Sequence, residues 1–435
     1  MTKKKIASRK GSSPAKIRAE EARYMMNTYR RPPVVFTHGR GCRLYDSEGR
    51  EYLDFLAGIA VNALGYAHPR LVRVIRREAG RATHISNLFH NPYQGPLARK
   101  LAEWSGLDRV FFTNSGTEAV EGALKIARAY AHAKSANGRA PKTGILALEN
   151  SFHGRTFGAL SITHTPKYRE PFAPLVPGVE FVRFNDVADL ETKFDDSICA
   201  IVIEPVQGEG GVFEVSEAFW QRARELATQH DAALIADEIQ SGLGRTGRAF
   251  AYQKYGSLPD IVTVAKPLGG GLPMGAILAS EPFASALTPG MHGSTFAGGP
   301  LICAVALEFL RVIEEEDLFE NVRVRGAELR AGIERLAGRF DFIREVRGEG
   351  LILGIDLAVE GAPFVEEALR QGLIINCTHD HVLRLLPPFI IGRRDVAEFL
   401  KKLEAVLARA PKSAAGPSAA AQKANVQPMA LAAAR

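Results

Sequence analysis

Three short apolar runs, each delivering an ionisable residue at its carboxyl end, constrain this chain more than any other feature. "AIVI" leads into Glu204-Pro205, "AALIA" into Asp237-Glu238, and "IVTVA" into Lys266. A run that is apolar at successive positions, not alternate ones, predicts a strand buried on both faces, as in a parallel sheet covered by helices. Between the first two runs lies "EAFWQRARELATQHD". Its Phe219, Ala223, Leu226, Ala227 and His230 recur at three and four residues, the stripe of a packed helix. Strand–helix–strand units of this length imply a right-handed α/β layer. Polar residues then emerge together along the carboxyl edge of one sheet, where open α/β folds place their ligands.

Lys266 is followed by "PLGGGLPMG". Two readings of this stretch stay open. A strand can end in a charged residue that escapes to solvent, with Pro and Gly supplying an ordinary turn. Alternatively, a large flat cofactor lies against the glycines and the lysine amine is its attachment point. A second element bears on the choice. "RVFF" reads as a strand, and "TNSGTEAVEGALKIARAY" opens a helix with Ala119, Ala123, Ile126, Ala127 and Tyr130 on one face. Ser115 and Glu118 form a capping box, and capping alone explains them. The functional alternative is that Ser115, Gly116 and Thr117 offer N–H groups and hydroxyls to a phosphate, aided by the helix dipole. "RGEGLILG", Arg347–Gly354, superficially resembles a dinucleotide loop. A strand follows where a helix should start, so a turn is the better reading. No G-x-S-x-G, H-E-x-x-H or Walker loop occurs, which leaves hydrolase, zinc and nucleotide chemistry unsupported.

Composition narrows the class further. The 435 residues are 46% hydrophobic and 24% charged, the profile of a globular chain with room for two or three domains. No apolar run approaches the roughly 20 residues of a membrane span. The basic N-terminus has no apolar segment of the secretory type, although its Lys, Arg and Ser content would also suit a transit peptide. Cys42, Cys199, Cys303 and Cys377 are far apart, which suits a reducing, cytoplasmic compartment and speaks against a structural metal. The net charge of +7 suggests nucleic-acid binding until it is mapped. Residues 1–31 carry +8 and residues 409–435 carry +4, leaving −5 for the body. A duplex-binding face needs basic residues clustered on a folded surface, so neither nucleic acid nor membrane is an expected partner.

A lysine and an aspartate at neighbouring strand ends, beside a phosphate site at a helix start, form a set that suits pyridoxal phosphate. At this point the chain resembles the class III aminotransferases of the acetylornithine type, from about Tyr29 to Leu407. The resemblance is carried by "YLDFLAGIAVNALGYAHP", "NSGTEA", "SFHGRT", "IEPVQGEGG", "IADEIQSGLGRTG", "AKPLGGGLPMGA", "HGSTFAGGP" and "RLLPPFII". It implies that Lys266 is the imine-forming lysine and proton shuttle, with Asp237 paired to the pyridinium and Gln240 holding the ring hydroxyl. It further implies that Phe152 stacks on the ring. Ser115, Gly116 and Thr117 would hold the phosphate, joined by Thr295 from a partner subunit. Arg155 and Arg384 would take substrate carboxylates, Glu209 would pair with Arg384 when the substrate has one carboxylate, and Ser294 would lie near the substrate. For both arginines a structural ion pair is the competing reading. Two departures from the family pattern, "TFAGGP" for "TFGGNP" and "EAVE" for "EANE", touch none of these residues.

The resemblance implies an α/β fold of the PLP-dependent transferase type (fold type I), with a large, mostly parallel sheet domain and a smaller α+β domain. The expected division is a disordered basic tail over 1–20, an N-terminal segment of the small domain over 21–64, the large domain over 65–305, the C-terminal small domain over 306–408, and a disordered Ala-rich tail over 409–435. The hairpin in "CRLYDSEGREYLDF", turning at Asp46–Gly49, is expected to complete the small domain. Asp395 and Glu398 are read as the capping box of the last helix, with Val396, Phe399, Leu403 and Val406 as its core stripe. The implied activity moves the terminal amino group of N2-acetylornithine to 2-oxoglutarate in a homodimer with interface active sites. Within the enzyme class the alternatives are ornithine, succinylornithine or 4-aminobutyrate as donor, or an amine-shifting mutase; a different class is a non-catalytic binding protein that keeps the fold, or a nucleic-acid binder working through its tails. Ornithine-specific relatives place a tyrosine in the stretch matching "AGIAVN". This chain has Ile59, which offers no hydroxyl to an α-ammonium.

Overall fold

The computed structural model describes residues 13–135 and 140–410. Its centre is a seven-stranded sheet, in the order Arg109–Thr113, Gly275–Ala279, Ile261–Val264, Ala233–Asp237, Ile198–Ile203, Gly144–Leu148 and Val179–Val182. Only Gly275–Ala279 runs antiparallel to its neighbours. The three apolar runs read from the sequence are the three adjacent central strands, and every residue in them is buried. The helix Gly116–Lys134 buries Ala119, Ala123, Ile126, Ala127 and Tyr130, as its period predicts. Glu217–Gln229 buries Phe219, Ala223, Leu226 and Ala227. His230 lies just past its end and faces Asp196 at 2.9 Å instead of joining the core.

Two four-stranded sheets flank this layer. One pairs Phe36–Arg40, Arg43–Asp46 and Glu51–Asp54, and its fourth strand is Leu373–Ile374, parallel to Glu51–Asp54. The other runs in the order Ile343–Glu349, Ile352–Leu357, Val382–Leu385, Asn376–Thr378. The hairpin turn falls where expected, with the Gly49 N–H donating to the Asp46 carbonyl at 3.1 Å. The strand expected over "VLRLLPPFII" stops at Leu385, because Pro387 and Pro388 lack the N–H that a ladder needs.

Two boundaries differ from the sequence reading. Residues 14–20, expected to be disordered, belong to the helix Pro14–Tyr24. It is capped by Ser13 and opened by a proline, and none of its residues is buried, so no core stripe marks it. The last helix begins at Arg393, not at Asp395. Asp395 is therefore its third residue and accepts the Gly392 N–H at 2.9 Å, while Glu398 is drawn to Arg43 at 2.8 Å. Of the expected tails, residues 1–12 and 411–435 lie outside the described residues, while Arg409 belongs to the last helix and Ala410 caps it. Among the described residues no helix is long and apolar enough to cross a membrane.

Gly326, midway along the helix Leu318–Ala337, lies so close to Gly350 that a Cβ would stand 2.2 Å from its carbonyl oxygen. In an exposed helix, Gly→Ala gains about 1 kcal/mol. At this crossing overpacking costs about 1–3 kcal/mol, so Gly326→Ala is expected to destabilise the protein. Denaturant unfolding checks the sign.

Candidate active site

The register of the central strands decides what meets at their ends. Asp237 pairs with Thr263 across the sheet, and the Thr263 hydroxyl donates to Asp237 Oδ1 at 3.2 Å. The Ile239 N–H reaches the same oxygen at 3.1 Å. The other oxygen, Oδ2, lies 2.7 Å from His153 Nδ1. Both side chains are buried. Burial alone pulls the His153 pKa down, but the hydrogen bond and charge of Asp237 override it and the pKa is raised. The contact with Asp237 thus favours the protonated form of His153 against the effect of its burial. Glu204, at the end of the adjacent strand, accepts the Phe152 N–H at 2.9 Å, and burial pushes its pKa up to about 7.

Lys266 begins a short 3-10 turn with φ +33°, an uncommon conformation for a residue with a side chain. Burial lowers the pKa of its amine, against the opposing pull of the Glu209 and Asp237 carboxylates. The glycines after it do not form the floor expected from the sequence. Added Cβ atoms on Gly269 and Gly270 would meet Ile302 at 3.3 Å and Leu71 at 2.6 Å, so those two glycines serve helix packing. Only Gly271 lines the cavity.

That cavity has a volume of about 520 Å³, within the usual range of small-molecule sites, about 300–1,000 Å³. It gathers eight of the residues singled out from the sequence: Ser115, Gly116, Thr117, Phe152, Arg155, Asp237, Gln240 and Lys266. At one end the Ser115 hydroxyl caps the helix by accepting the Glu118 N–H at 3.3 Å. The expected reciprocal bond is displaced by one residue, because Glu118 accepts the N–H of Asn114 at 2.6 Å. Gly116 and Thr117 open the helix, so their N–H groups lie outside its i→i−4 ladder and face an anion favourably. Gly154 passes so near Thr117 that a Cβ would stand 2.4 Å from the hydroxyl, and its φ of +134° independently requires glycine. Phe152 lies half-buried at the wall. Arg155 is exposed, with its guanidinium 3.6 Å from the centre of the Tyr168 ring.

Arg384 and Glu209 lie behind Gln240. Arg384 is fully buried, and its Nη1 donates to Glu209 Oε1 at 2.6 Å and to Gln240 Oε1 at 3.1 Å. Burial raises the Glu209 pKa, but Arg384 outweighs it and the carboxyl ends up below its ordinary value. Nη2 of Arg384 is buried without a hydrogen-bond partner among the described residues. Gly208 brings the loop against Gln240 so closely that a Cβ would stand 1.9 Å from its oxygen. Ser294 sits at the rim, where its hydroxyl accepts from Asn114 at 3.0 Å. Thr295 is exposed and does not line this chain's cavity. His153 and Asn114 escaped the sequence reading, although "SFHGRT" and "TNSGTEA" contain them. A lone histidine carries no signal until a buried acid is known to face it.

The family profile described as Aminotransferase class-III matches residues 24–407. An acetylornithine aminotransferase of Methanocaldococcus jannaschii is 45% identical over 392 residues, covering 90% of this chain and 98% of that protein. Among solved structures, an ornithine aminotransferase from Toxoplasma gondii, described with partial occupancy of PLP at its active site, superposes with a TM-score of 0.85. It is 35% identical, over 90% of this chain and 94% of that one. An N-acetylornithine aminotransferase from Stenotrophomonas maltophilia K279a gives a TM-score of 0.77 at 37% identity, over 90% and 98%.

Burial also pushes Glu238 up to about 7, although it accepts from the Ser241 hydroxyl at 2.6 Å and the Tyr252 N–H at 2.8 Å. A carboxyl whose folded pKa is raised stabilises below its unfolded pKa and loses that contribution as pH rises towards the folded value. For Glu204 and Glu238 the window runs from the ordinary glutamate value, 4.5, to about 7. Stability is therefore expected to fall as pH rises through this window. Glu238→Gln should reduce the slope by up to about 1.4 kcal/mol per pH unit, measured by denaturant unfolding at pH 5, 6 and 7.

Proposed function

The chain belongs to the class III aminotransferases, and from that premise we infer that it moves the terminal amino group of N2-acetylornithine to 2-oxoglutarate with pyridoxal 5′-phosphate as cofactor. The products are N-acetylglutamate semialdehyde and glutamate, a step of arginine biosynthesis. The residues fit this cofactor. The cavity has the volume, its helix start has free N–H groups for a phosphate, and a buried carboxylate and an amine of lowered proton affinity line the same wall. When bound, the cofactor supplies an electrophilic carbon for an amine and a protonated ring that draws electrons from the substrate.

The chain's own residues do the rest. Ser115, Gly116 and Thr117 would hold the phosphate, Phe152 would cover the ring face and Gln240 would meet the ring hydroxyl. Asp237, fixed by Thr263, Ile239 and His153, is presented to the ring nitrogen. Lys266 would be the attachment point and, once the substrate's amine has taken its place, its freed Nζ would move the proton at the reacting carbon, a task suited to an amine whose pKa burial has lowered.

The observation that carries the reading is the 2.6 Å pair between buried Arg384 and Glu209 beside this cavity. An amino donor with one carboxylate needs only Arg155, and Glu209 keeps Arg384 neutralised. 2-Oxoglutarate brings a second carboxylate, which takes the place of Glu209 on Arg384. The acetyl group matters because free ornithine would bring an α-ammonium into a site with two arginines, and burying it unpaired would cost several kcal/mol. Ile59 offers it no acceptor. We further propose a homodimer in which Ser294 and Thr295 serve the neighbouring site. Leu88, Phe89 and Phe296 are 87%, 68% and 68% exposed, and Asn87 ties their two segments together by donating to the carbonyls of Ser294 and Ala297. Such an apolar patch suits burial against a second copy. The four free thiols support a reducing, cytoplasmic location.

The test of the donor is a steady-state comparison of N-acetylornithine with ornithine at matched 2-oxoglutarate. The acetylated donor is expected to have at least a tenfold higher kcat/KM, about 1.4 kcal/mol; equality or reversal overturns the substrate assignment. For the dimer, Lys266→Ala and Thr295→Glu chains, each inactive alone, are mixed after proven subunit exchange. Recovery of about a quarter of wild-type activity is expected, because only half the dimers are mixed and each has one intact site. No recovery would show that each chain builds its site alone.

A further inference from the structure

The loop that carries Glu209 is held at two points by the sheet that carries Arg384. The Thr378 hydroxyl donates to the Glu209 carbonyl. Two residues on, Arg347 Nε donates to the Gly211 carbonyl at 2.8 Å, and the same guanidinium lies 3.8 Å from the centre of the Phe213 ring. Arg347 is itself fixed by Glu345 and Asp356, each at 2.8 Å from Nη1. Thr378, Arg347 and Arg384 occupy three strands of one four-stranded sheet, in which Asn376 and Gly354 stand opposite Arg384. Asn376 also accepts from Arg384 Nε at 3.3 Å. None of these anchors lines the cavity.

We propose that Thr378 and Arg347 are positioning residues which fix the Glu209 backbone, so that this glutamate alternates on Arg384 by side-chain rotation alone, and that they thereby set the discrimination between substrates with one and two carboxylates. The physical reason is the glycine content of the loop. Gly208, Gly210 and Gly211 flank Glu209, and such a segment is free to drift unless its carbonyls are tied. A drifting backbone would carry the Glu209 carboxylate away from Arg384 and leave a buried cation open to any second carboxylate. With the carbonyls tied, the pair re-forms in one place whenever a dicarboxylate leaves. The anchors share a sheet with Arg384, so the geometry is preserved even if that sheet shifts relative to the central one.

This inference rests on reading Arg384 as a carboxylate site, and the experiment separates the two. Glutarate and 4-acetamidobutyrate serve as unreactive two- and one-carboxylate probes, titrated calorimetrically into holoenzyme, alongside single-turnover rates for each half-reaction. Thr378→Val, which keeps the shape and loses the donor, is expected to raise the ratio of glutarate to 4-acetamidobutyrate affinity about fivefold, the effect of one lost hydrogen bond. Thr378→Ser should stay within about twofold of wild type because the hydroxyl remains. Arg347→Lys, which loses the Nε donor and the planar stack, should shift the ratio in the same direction as Thr378→Val. If Thr378→Val does not fold, Arg347→Lys decides. An unchanged ratio in folded variants, or equal losses for both probes, overturns the clamp. Failure of wild-type protein to bind glutarate strikes instead at Arg384 as the carboxylate site, and with it the functional reading.

Discussion

A slip of one residue between Ala233–Asp237 and Ile261–Val264 would turn every side chain of one strand to the opposite face. Asp237 would then lose Thr263 as its neighbour, and Lys266 would leave the wall it shares with that carboxylate. The site depends on this register more than on any single contact. What holds it is the burial of both strands on both faces, since neither has a solvent side onto which a slipped strand could present its residues. Apolar packing that looks indifferent to chemistry therefore fixes the chemistry to within a hydrogen-bond length.

Close approach does the remaining work. Gly208 lets the Glu209 loop meet Gln240, and Gly154 lets the segment carrying Phe152 and Arg155 rest on Thr117. In both places a methyl group would push apart two parts of the site that come from different regions of the chain. The buried ionisable groups are arranged with similar economy. Asp237 is answered by His153, and Arg384 by Glu209. Lys266, by contrast, feels several charges at once, those of Glu209, Asp237, Arg384 and Glu204, and among the described residues it has no ion pair.

Much of this was legible in the residues. Uninterrupted apolar runs revealed the central strands, and the polar residues at their ends pointed to one edge. What resisted reading was anything that depends on two distant segments meeting. Nothing in "PLGGG" distinguishes a surface beneath a ligand from a surface beneath Leu71 and Ile302, and two of its glycines proved to serve the latter. His153 becomes meaningful only once Asp237 stands opposite it. The start of the last helix was misplaced because Arg393 and Arg394 are polar and carry no stripe, whereas Asp395 resembles a cap. The helix Pro14–Tyr24 buries nothing, so periodicity could not announce it.

The strand Leu373–Ile374 completes the sheet begun by Phe36–Arg40, Arg43–Asp46 and Glu51–Asp54, across a separation of 320 residues seen also in the Arg50–Arg370 contact. During synthesis the first three strands must wait for the fourth, on the order of 20–60 s at ribosomal rates of about 5–20 residues per second. For that interval the chain carries an unpaired strand edge, the kind of edge that invites pairing between nascent chains. Arg43, Asp46 and Glu51 place charge on the waiting hairpin, and Arg43 later finds Asp395 and Glu398 in the last helix. Arg43 thus serves twice, as a charge on the waiting hairpin and as a tie to the last helix in the finished molecule.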